Sequence, residues 1–295
     1  MLMKNYVLGV GVTNETEDNI LEYLLLGLKQ HARKYFIVTL NPEIVIYAQN
    51  HTRYKKILNE AKIALPDGIG VFLGSALMGN PLKERITGVD FMEEICKGSS
   101  EQPLRMGFLG GRERVAERTA ECLKRKYPWI EVVFVGEEWP QVVKSSSRQV
   151  VKSSSYKVVK SSSRQVVKSS SRQVVKSSSR QVVKSSSDSE NGPEDFGLED
   201  LKTSIPIMDI LFVAFGHPKQ EEWIYENLDH LPVKVAMGVG GAFDYISGRV
   251  ERAPFMIRAM GMEWLYRLIR EPWRWRRQLA LGRFVWLVIL KFIKL

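Results

Sequence analysis

An open, doubly wound α/β sheet is the fold class that this sequence predicts, and three observations predict it. Short apolar runs rich in Val, Ile, Leu and Phe recur along the chain. Helical patterns of about 10–15 residues separate them. The runs end at Asn-Pro, Pro-Asp-Gly or Gly-rich corners instead of alternating with polar residues, as strands covered on both faces do in a parallel sheet. The expected architecture is a Rossmann-like, mostly parallel sheet with helices on both faces and a C-terminal helical appendage.

Each element has its own signal. Tyr6–Val12 reads as the first strand and Asn19–Arg33 as an amphipathic helix. Tyr35–Leu40 is a strand closed by Asn41-Pro42, and a helical stretch follows to about Glu60. Lys62–Leu65 is a short strand ending at Pro66-Asp67-Gly68. Further strands are Leu104–Leu109, Ile130–Val135, Asp209–Phe215 and Val233–Val239, with helices over 88–97, 113–126 and 217–228. The strand ending at Phe215 stops at Gly216 and turns at Pro218, and the next helix carries Lys219, Gln220 and Glu221 in its first turn. Ligands of such sheets bind outside the carboxyl ends of the strands. A helix N-terminus with a cation and an amide beside it suits an anionic, hydrogen-bonding ligand there.

Residues 141–188 break the pattern with six copies of an eight-residue unit, Gln-Val-Val-Lys-Ser-Ser-Ser-Arg and close variants. As a helix the unit advances ~80° per copy, so its valines share no face. As a strand each face holds one Val among polar groups. Neither arrangement buries enough to offset ordering entropy, so a low-complexity loop without a catalytic role is expected. The chain therefore divides into core residues 1–140, the repeat 141–188, core residues 189–248 and the appendage 249–295.

Charge follows this division. The whole chain carries +10, and 141–188 alone hold eleven Lys/Arg and one Asp. The appendage adds eleven Lys/Arg against three Glu, so the rest is acidic. The basic pI thus belongs to an insert and a tail, which argues against nucleic acid as the partner. Two cysteines, Cys96 and Cys122, form no disulfide framework or metal spacing. The N-terminus lacks the pattern of a signal peptide, and the longest apolar run, Phe284–Leu290, is far short of the ~20 residues that span a bilayer. A cytoplasmic protein is expected. The appendage interleaves Arg with Trp and aliphatics, as in Trp273-Arg-Trp-Arg-Arg277, a composition suited to an anionic membrane interface. The same apolar surface could instead pack on a second copy of the chain in a homo-oligomer.

Polar groups gather at other strand ends too. Thr39 and Asn41 close one strand, and Asp67 another. Gly107-Phe-Leu-Gly-Gly111 joins a strand to a helix, where glycines allow close approach of phosphate or ring. Its spacing is not GxGxxG, and no acidic residue ends the next strand, so a dinucleotide oxidoreductase does not fit. Asp67 is either a carboxylate facing the cleft or an N-cap of the following helix. Asp244, in Gly240-Gly-Ala-Phe-Asp244, presents the same two readings.

Six ordered motifs then make a resemblance specific: Thr39-Leu-Asn-Pro42, Leu65-Pro-Asp-Gly-Ile-Gly70, Arg85-Ile-Thr-Gly-Val-Asp90, Gly107-Phe-Leu-Gly-Gly111, Phe215-Gly-His-Pro-Lys-Gln-Glu221 and Gly238-Val-Gly-Gly-Ala-Phe-Asp244. Together they resemble the WecG/TagA/CpsF glycosyltransferases, glycosyltransferase family 26, over almost everything except 141–193. Arg252-Ala-Pro254 and Glu271-Pro-Trp-Arg274 resemble the C-terminal appendage of that family. The resemblance implies an inverting transfer of N-acetylmannosamine from UDP to undecaprenyl-diphosphate-linked GlcNAc, with Asp67 as general base. An N-acetylmannosaminuronate donor is the alternative substrate, and a non-enzymatic membrane scaffold the alternative class. It further implies Thr39, Asn41 and Gln220 in substrate positioning, and Gly107, Gly110, Gly111, Lys219, Arg85, Asp90 and Asp244 around the nucleotide. The chain lacks an Asp-x-Asp metal signature, so a metal-independent reaction without cofactor is expected, with Arg267, Arg274 and Arg277 of the appendage relieving charge on the diphosphate.

Overall fold

A computed structural model describes residues 2–30, 33–145, 148–152, 156–158 and 205–293. Its centre is a sheet in the order β4-β3-β11-β10-β5-β6-β9. These strands are β3 Tyr35–Leu40, β4 Ile63–Pro66, β5 Arg105–Gly110, β6 Glu131–Gly136, β9 Tyr156–Val158, β10 Met208–Ala214 and β11 Val233–Gly238. Every pairing is parallel except that of β9 with β6. The mostly parallel α/β class and the C-terminal helices are as the apolar runs predicted.

Alternation along the strands builds a core on each face. In β3, Phe36, Val38 and Leu40 join one buried cluster and Ile37 the other. In β10, Met208, Leu211 and Val213 face the first cluster, while Ile210 and Phe212 face the second. Helices α2 (Pro42–Asn50), α3 (Thr52–Glu60) and α4 (Ile69–Leu77) cover the first face. Helices α1 (Glu17–Lys29), α5 (Gly88–Gly98) and α6 (Val115–Lys126) cover the second. Side-chain caps set three helix starts, with Thr16, Asn41 and Thr87 accepting from Asn19, Ile44 and Asp90 N–H respectively.

Three expectations need correction. Tyr6–Val12 is not one strand but the hairpin β1 (Lys4–Val7) and β2 (Val10–Thr13), separate from the main sheet. Leu8 and Gly9 both hold positive φ (50° and 77°), the backbone a two-residue hairpin turn requires, and Gly9 supplies it without penalty. The helical stretch before Glu60 is two helices that break at His51, whose φ −131°, ψ 89° is not helical. Part of the repeat is strand: β7 (Gln141–Ser145) pairs antiparallel with β8 (Arg148–Lys152), and β9 caps the edge left by β6. The even period of the repeat keeps its faces in register, and pairing satisfies backbone groups that a loop would leave to water. The helix predicted to reach Arg33 ends at Lys29 with Gln30 as its C-cap, and the remainder of 141–188 lies outside the described residues.

The appendage begins after α8 (Ala242–Ile246). It comprises α9 (Phe255–Ala259), α10 (Glu263–Arg270), a short 3-10 turn Pro272–Arg274 and α11 (Trp275–Ile293). Phe284 and Val288 of α11 are buried against α4, where Gly74 leaves room: a Cβ there would lie 2.8 Å from the Phe284 ring. Among the described residues, no helix is long and apolar enough to cross a membrane.

Candidate active site

The carboxyl ends of β4, β3, β11 and β10, neighbours in the sheet, open into one cavity of about 450 Å³. Asp67 follows β4, Thr39 and Asn41 close β3, Gly240 and Gly241 come from the turn after β11, and Asp244 comes from α8. Gly216, His217 and Gln220 come from the corner between β10 and α7 (Lys219–Asn227). Arg85 enters from the segment before α5, and the appendage adds Glu263, Trp264, Arg267 and Arg277.

Asp67 does not cap α4. The N-cap there is Gly68, without a side-chain hydrogen bond, and the Asp67 carboxylate instead accepts the N–H of Gly88 at the start of α5. Burial, reinforced by the nearby Glu263 carboxylate, pushes Asp67 up to about 6, against the opposing pull of Arg85 and the Gly88 N–H. A carboxyl so placed exchanges its proton close to neutrality.

Thr39 and Asn41 line the same wall, each tied to the scaffold. Thr39 Oγ1 donates to Gly238 O at 3.3 Å, and Asn41 Oδ1 accepts from Ile44 N–H at 3.0 Å. Gln220 is almost wholly buried, with both ends of its amide engaged. Its Oε1 accepts from Gly240 N–H at 3.0 Å and its Nε2 donates to Glu221 Oε1 at 2.7 Å. These three side chains are therefore preorganised.

Three arginines line the cavity with Asp67. Arg85 Nη2 donates to the Arg258 carbonyl at 2.9 Å. Arg267 lies over the Tyr245 ring at 4.9 Å and donates to Glu271 at 2.7 Å, so its fork is fixed in position. Arg277 reaches the rim, held by Glu43 at 2.9 Å. Asp244 also lines the cavity, 3.8 Å from Arg249. Guanidinium groups aimed into a cavity floored by backbone and amide groups suit a diphosphate. Among the described residues, no cluster of three or more His, Cys, Asp or Glu is placed to hold a metal ion.

Several predicted positions stand elsewhere. Gly107 is inside β5, buried under Met208 and Leu211. Gly110 and Gly111 end β5, one strand beyond the four that form the cavity. Gly110 has φ 106°, and a Cβ there would strike the Ala214 backbone at 2.8 Å, so this glycine serves strand packing. Lys219 is exposed and outside the cavity lining. Asp90 does not line it either. Its carboxylate takes both Arg252 Nη groups (2.6 and 2.9 Å) and the Thr87 hydroxyl, tying the appendage to α5. Burial works against that charge, but these bonds outweigh it and hold Asp90 below the usual carboxylate range. Arg274 falls in the turn before α11, and its side chain lies outside the described residues.

Glu263 and His217, like Glu43 and Tyr245, line the cavity without having been singled out from sequence. Glu263 is reached only because α10 folds back over β4, a long-range contact no local pattern encodes. His217 stood inside a quoted motif, but its hydrogen-bond partner Tyr54 lies on α3.

Comparison with known proteins adds a second line of evidence. The model of the Glycosyl transferase WecG/TagA/CpsF family matches residues 5–159 and 162–295. Curated relatives carry the name N-acetylglucosaminyldiphosphoundecaprenol N-acetyl-beta-D-mannosaminyltransferase. One from Bacillus spizizenii is 32% identical over 254 residues, 86% of this chain and 78% of that protein. One from Bacillus subtilis is 28% identical over 259 residues, with the same coverage of both chains. One from Staphylococcus aureus is 28% identical over 276 residues, 92% of this chain and 85% of that protein.

Proposed function

Because the chain belongs to the WecG/TagA/CpsF family of glycosyl transferases, we propose that it moves N-acetylmannosamine from UDP to the GlcNAc of an undecaprenyl-diphosphate acceptor, inverting the anomeric centre. Asp67 carries this reading. It is an uncapped carboxylate, raised to about 6, that shares one cavity with three arginines. In a single displacement, Asp67 takes the proton of the acceptor hydroxyl as that oxygen bonds to the anomeric carbon. The bond from that carbon to the β-phosphate oxygen breaks, and its electron pair leaves with UDP. Arg85, Arg267 and Arg277 offset the charge that develops, with no metal ion required.

A second cavity of about 190 Å³ opens beside the first and shares Arg267, Arg277, Asn41 and Trp264 with it. Ile69, Leu268 and Leu281 make it largely apolar, which suits the first prenyl units behind the acceptor diphosphate. The names of the relatives, which specify this donor sugar and acceptor, support the same assignment. Exposed Phe255, Trp273 and Trp286 beside the appendage arginines fit a peripheral position on the inner membrane face, where the lipid-linked acceptor and the cytosolic sugar nucleotide meet.

Asp67→Asn tests the reading. A positioned base supplies about 10²–10⁴-fold, so transfer falls by that factor while the shift in melting temperature produced by UDP is kept. Wild-type turnover in the variant sinks the mechanism. Parallel assays with UDP-ManNAc and its uronate, on a short-chain lipid acceptor, decide the donor.

A further inference from the structure

One polar network at the cavity remains without a role. His217 Nδ1 lies 2.7 Å from Tyr54 Oη, and Tyr54 donates to Glu221 Oε2 at 2.9 Å. The other oxygen of Glu221 accepts from Gln220, whose own oxygen accepts from Gly240 N–H. Glu221 is wholly buried, and a carboxylate can only accept, so the single phenolic proton of Tyr54 points at it. Burial and the adjacent carboxylate raise Tyr54 above the ordinary phenol range, which keeps that proton in place. The Tyr54 oxygen then presents a lone pair to His217, and Nδ1 must carry the hydrogen between them.

In the neutral imidazole, a hydrogen on Nδ1 leaves a lone pair on Nε2, and Glu221 Oε2 lies 3.8 Å from the same Nδ1. His217 lines the cavity, and Nε2 makes no hydrogen bond among the described residues yet is not one of their sealed, unpartnered atoms. Tyr47 meets the imidazole edge-on at 4.8 Å and Tyr54 packs at 5.2 Å, which fixes the ring plane. The wall thus offers an acceptor held in a fixed plane, in a cavity that Arg85, Arg267 and Arg277 line together with Glu43, Asp67, Asp244 and Glu263. Phosphate oxygens have no hydrogen to give such an atom, whereas sugar hydroxyls do.

We propose that His217 is a substrate-positioning residue whose Nε2 accepts a hydrogen bond from a sugar hydroxyl in the cavity, with Tyr54 and Glu221 fixing its tautomer. The inference rests on the glycosyl-transfer reading above and adds a specificity contact to it. The hydroxyl belongs to the ribose, the donor sugar or the acceptor sugar.

Two amides separate the two ring nitrogens. His217→Asn places its amide near the Nδ1 position and keeps Tyr54 satisfied, but cannot reach the cavity. His217→Gln extends to the Nε2 position. The expected result is a KM raised about threefold to tenfold for one substrate in His217→Asn, with kcat changed less, and recovery in His217→Gln. Unchanged KM in both variants overturns the proposal, as does equal loss in both. Nitrogen-15 NMR of the wild-type histidines supplies a readout independent of variant folding, and the chain has only four. An unprotonated His217 Nε2 resonance that moves with ligand supports the assignment. A protonated Nε2, or no response to any ligand, defeats it. Response to UDP but not to uracil marks the ribose, response first to UDP-ManNAc marks the donor sugar, and response to the lipid-linked acceptor marks the acceptor sugar. If the wild type binds these ligands through His217 but transfers nothing, the functional reading fails and the hydroxyl contact stands. If it transfers normally with a silent His217, the contact alone fails.

Discussion

Asp67 is a residue whose stability cost and chemical use are one property. Its folded-state pKa of about 6 lies above the ordinary aspartate value of 3.8. Between these two values the folded chain binds more protons than the unfolded chain, so stability falls as pH rises through that window and stays lower above it. A shift of this size corresponds to about 3 kcal/mol at most. Asp67→Asn removes that penalty, so its melting temperature should exceed that of the wild type at pH 7, and the gap should close below pH 4. A variant less stable than the wild type at pH 7 would show that the ionised carboxylate is net stabilising. With Asp67 as the base proposed above, kcat/KM should rise with pH through about 6 as the free base forms. Glu263, the second cause of the shift, tests its origin. In Glu263→Gln the acid limb should move to lower pH, and an unmoved limb would leave burial alone responsible.

At the scale of elements, the parallel strands and most helices were legible because their signals are local. An apolar run closed by Asn41-Pro42, or a cap such as Thr87, acts over a few residues. What escaped was set by geometry between elements. The Leu8-Gly9 turn reads as strand unless both residues take positive φ, and Gly110 reads as a phosphate turn unless the strand order is known. Since β5 lies beyond β10 in the sheet, Gly107 packs under Met208 and Leu211, Gly110 packs against Ala214, and both stay out of the cavity. Thr39, Asn41 and Asp67 reached it because they end adjacent strands. The seat of α11 is equally non-local: Phe284 and Val288 fill the space that Gly74 leaves on α4. Phe284→Ala removes a fully buried aromatic side chain, which costs about 3–5 kcal/mol in a core. Hydrogen-exchange protection should then drop over 275–293 while the sheet keeps its own, and turnover should fall as Arg277 leaves the rim. Retained protection there would mean that the ion pairs, not the ring, dock this helix.

Across the whole molecule, the appendage has two faces of different composition. The inner face closes the cavity through Glu263, Arg267 and Arg277. The outer face exposes Phe255, Met256, Ile269, Trp273, Trp286 and Ile293 in a segment with eleven basic residues against three acidic ones. Apolar side chains of that size cost free energy in water and gain it at a lipid interface, while each basic group near an anionic leaflet contributes ~1 kcal/mol. The two terms respond differently to salt, because screening at 1 M shortens electrostatic reach to about 3 Å and leaves apolar burial intact. The full chain should sediment with vesicles containing phosphatidylglycerol more than with neutral phosphatidylcholine vesicles. High salt should remove the difference between the two without abolishing binding. Replacing Trp273 and Trp286 with Ala should lower binding to both lipids while leaving the salt-sensitive difference unchanged. Equal binding to the two lipids at low salt would mean that the basic charge faces the substrate cavity alone and takes no part in holding the protein to a membrane.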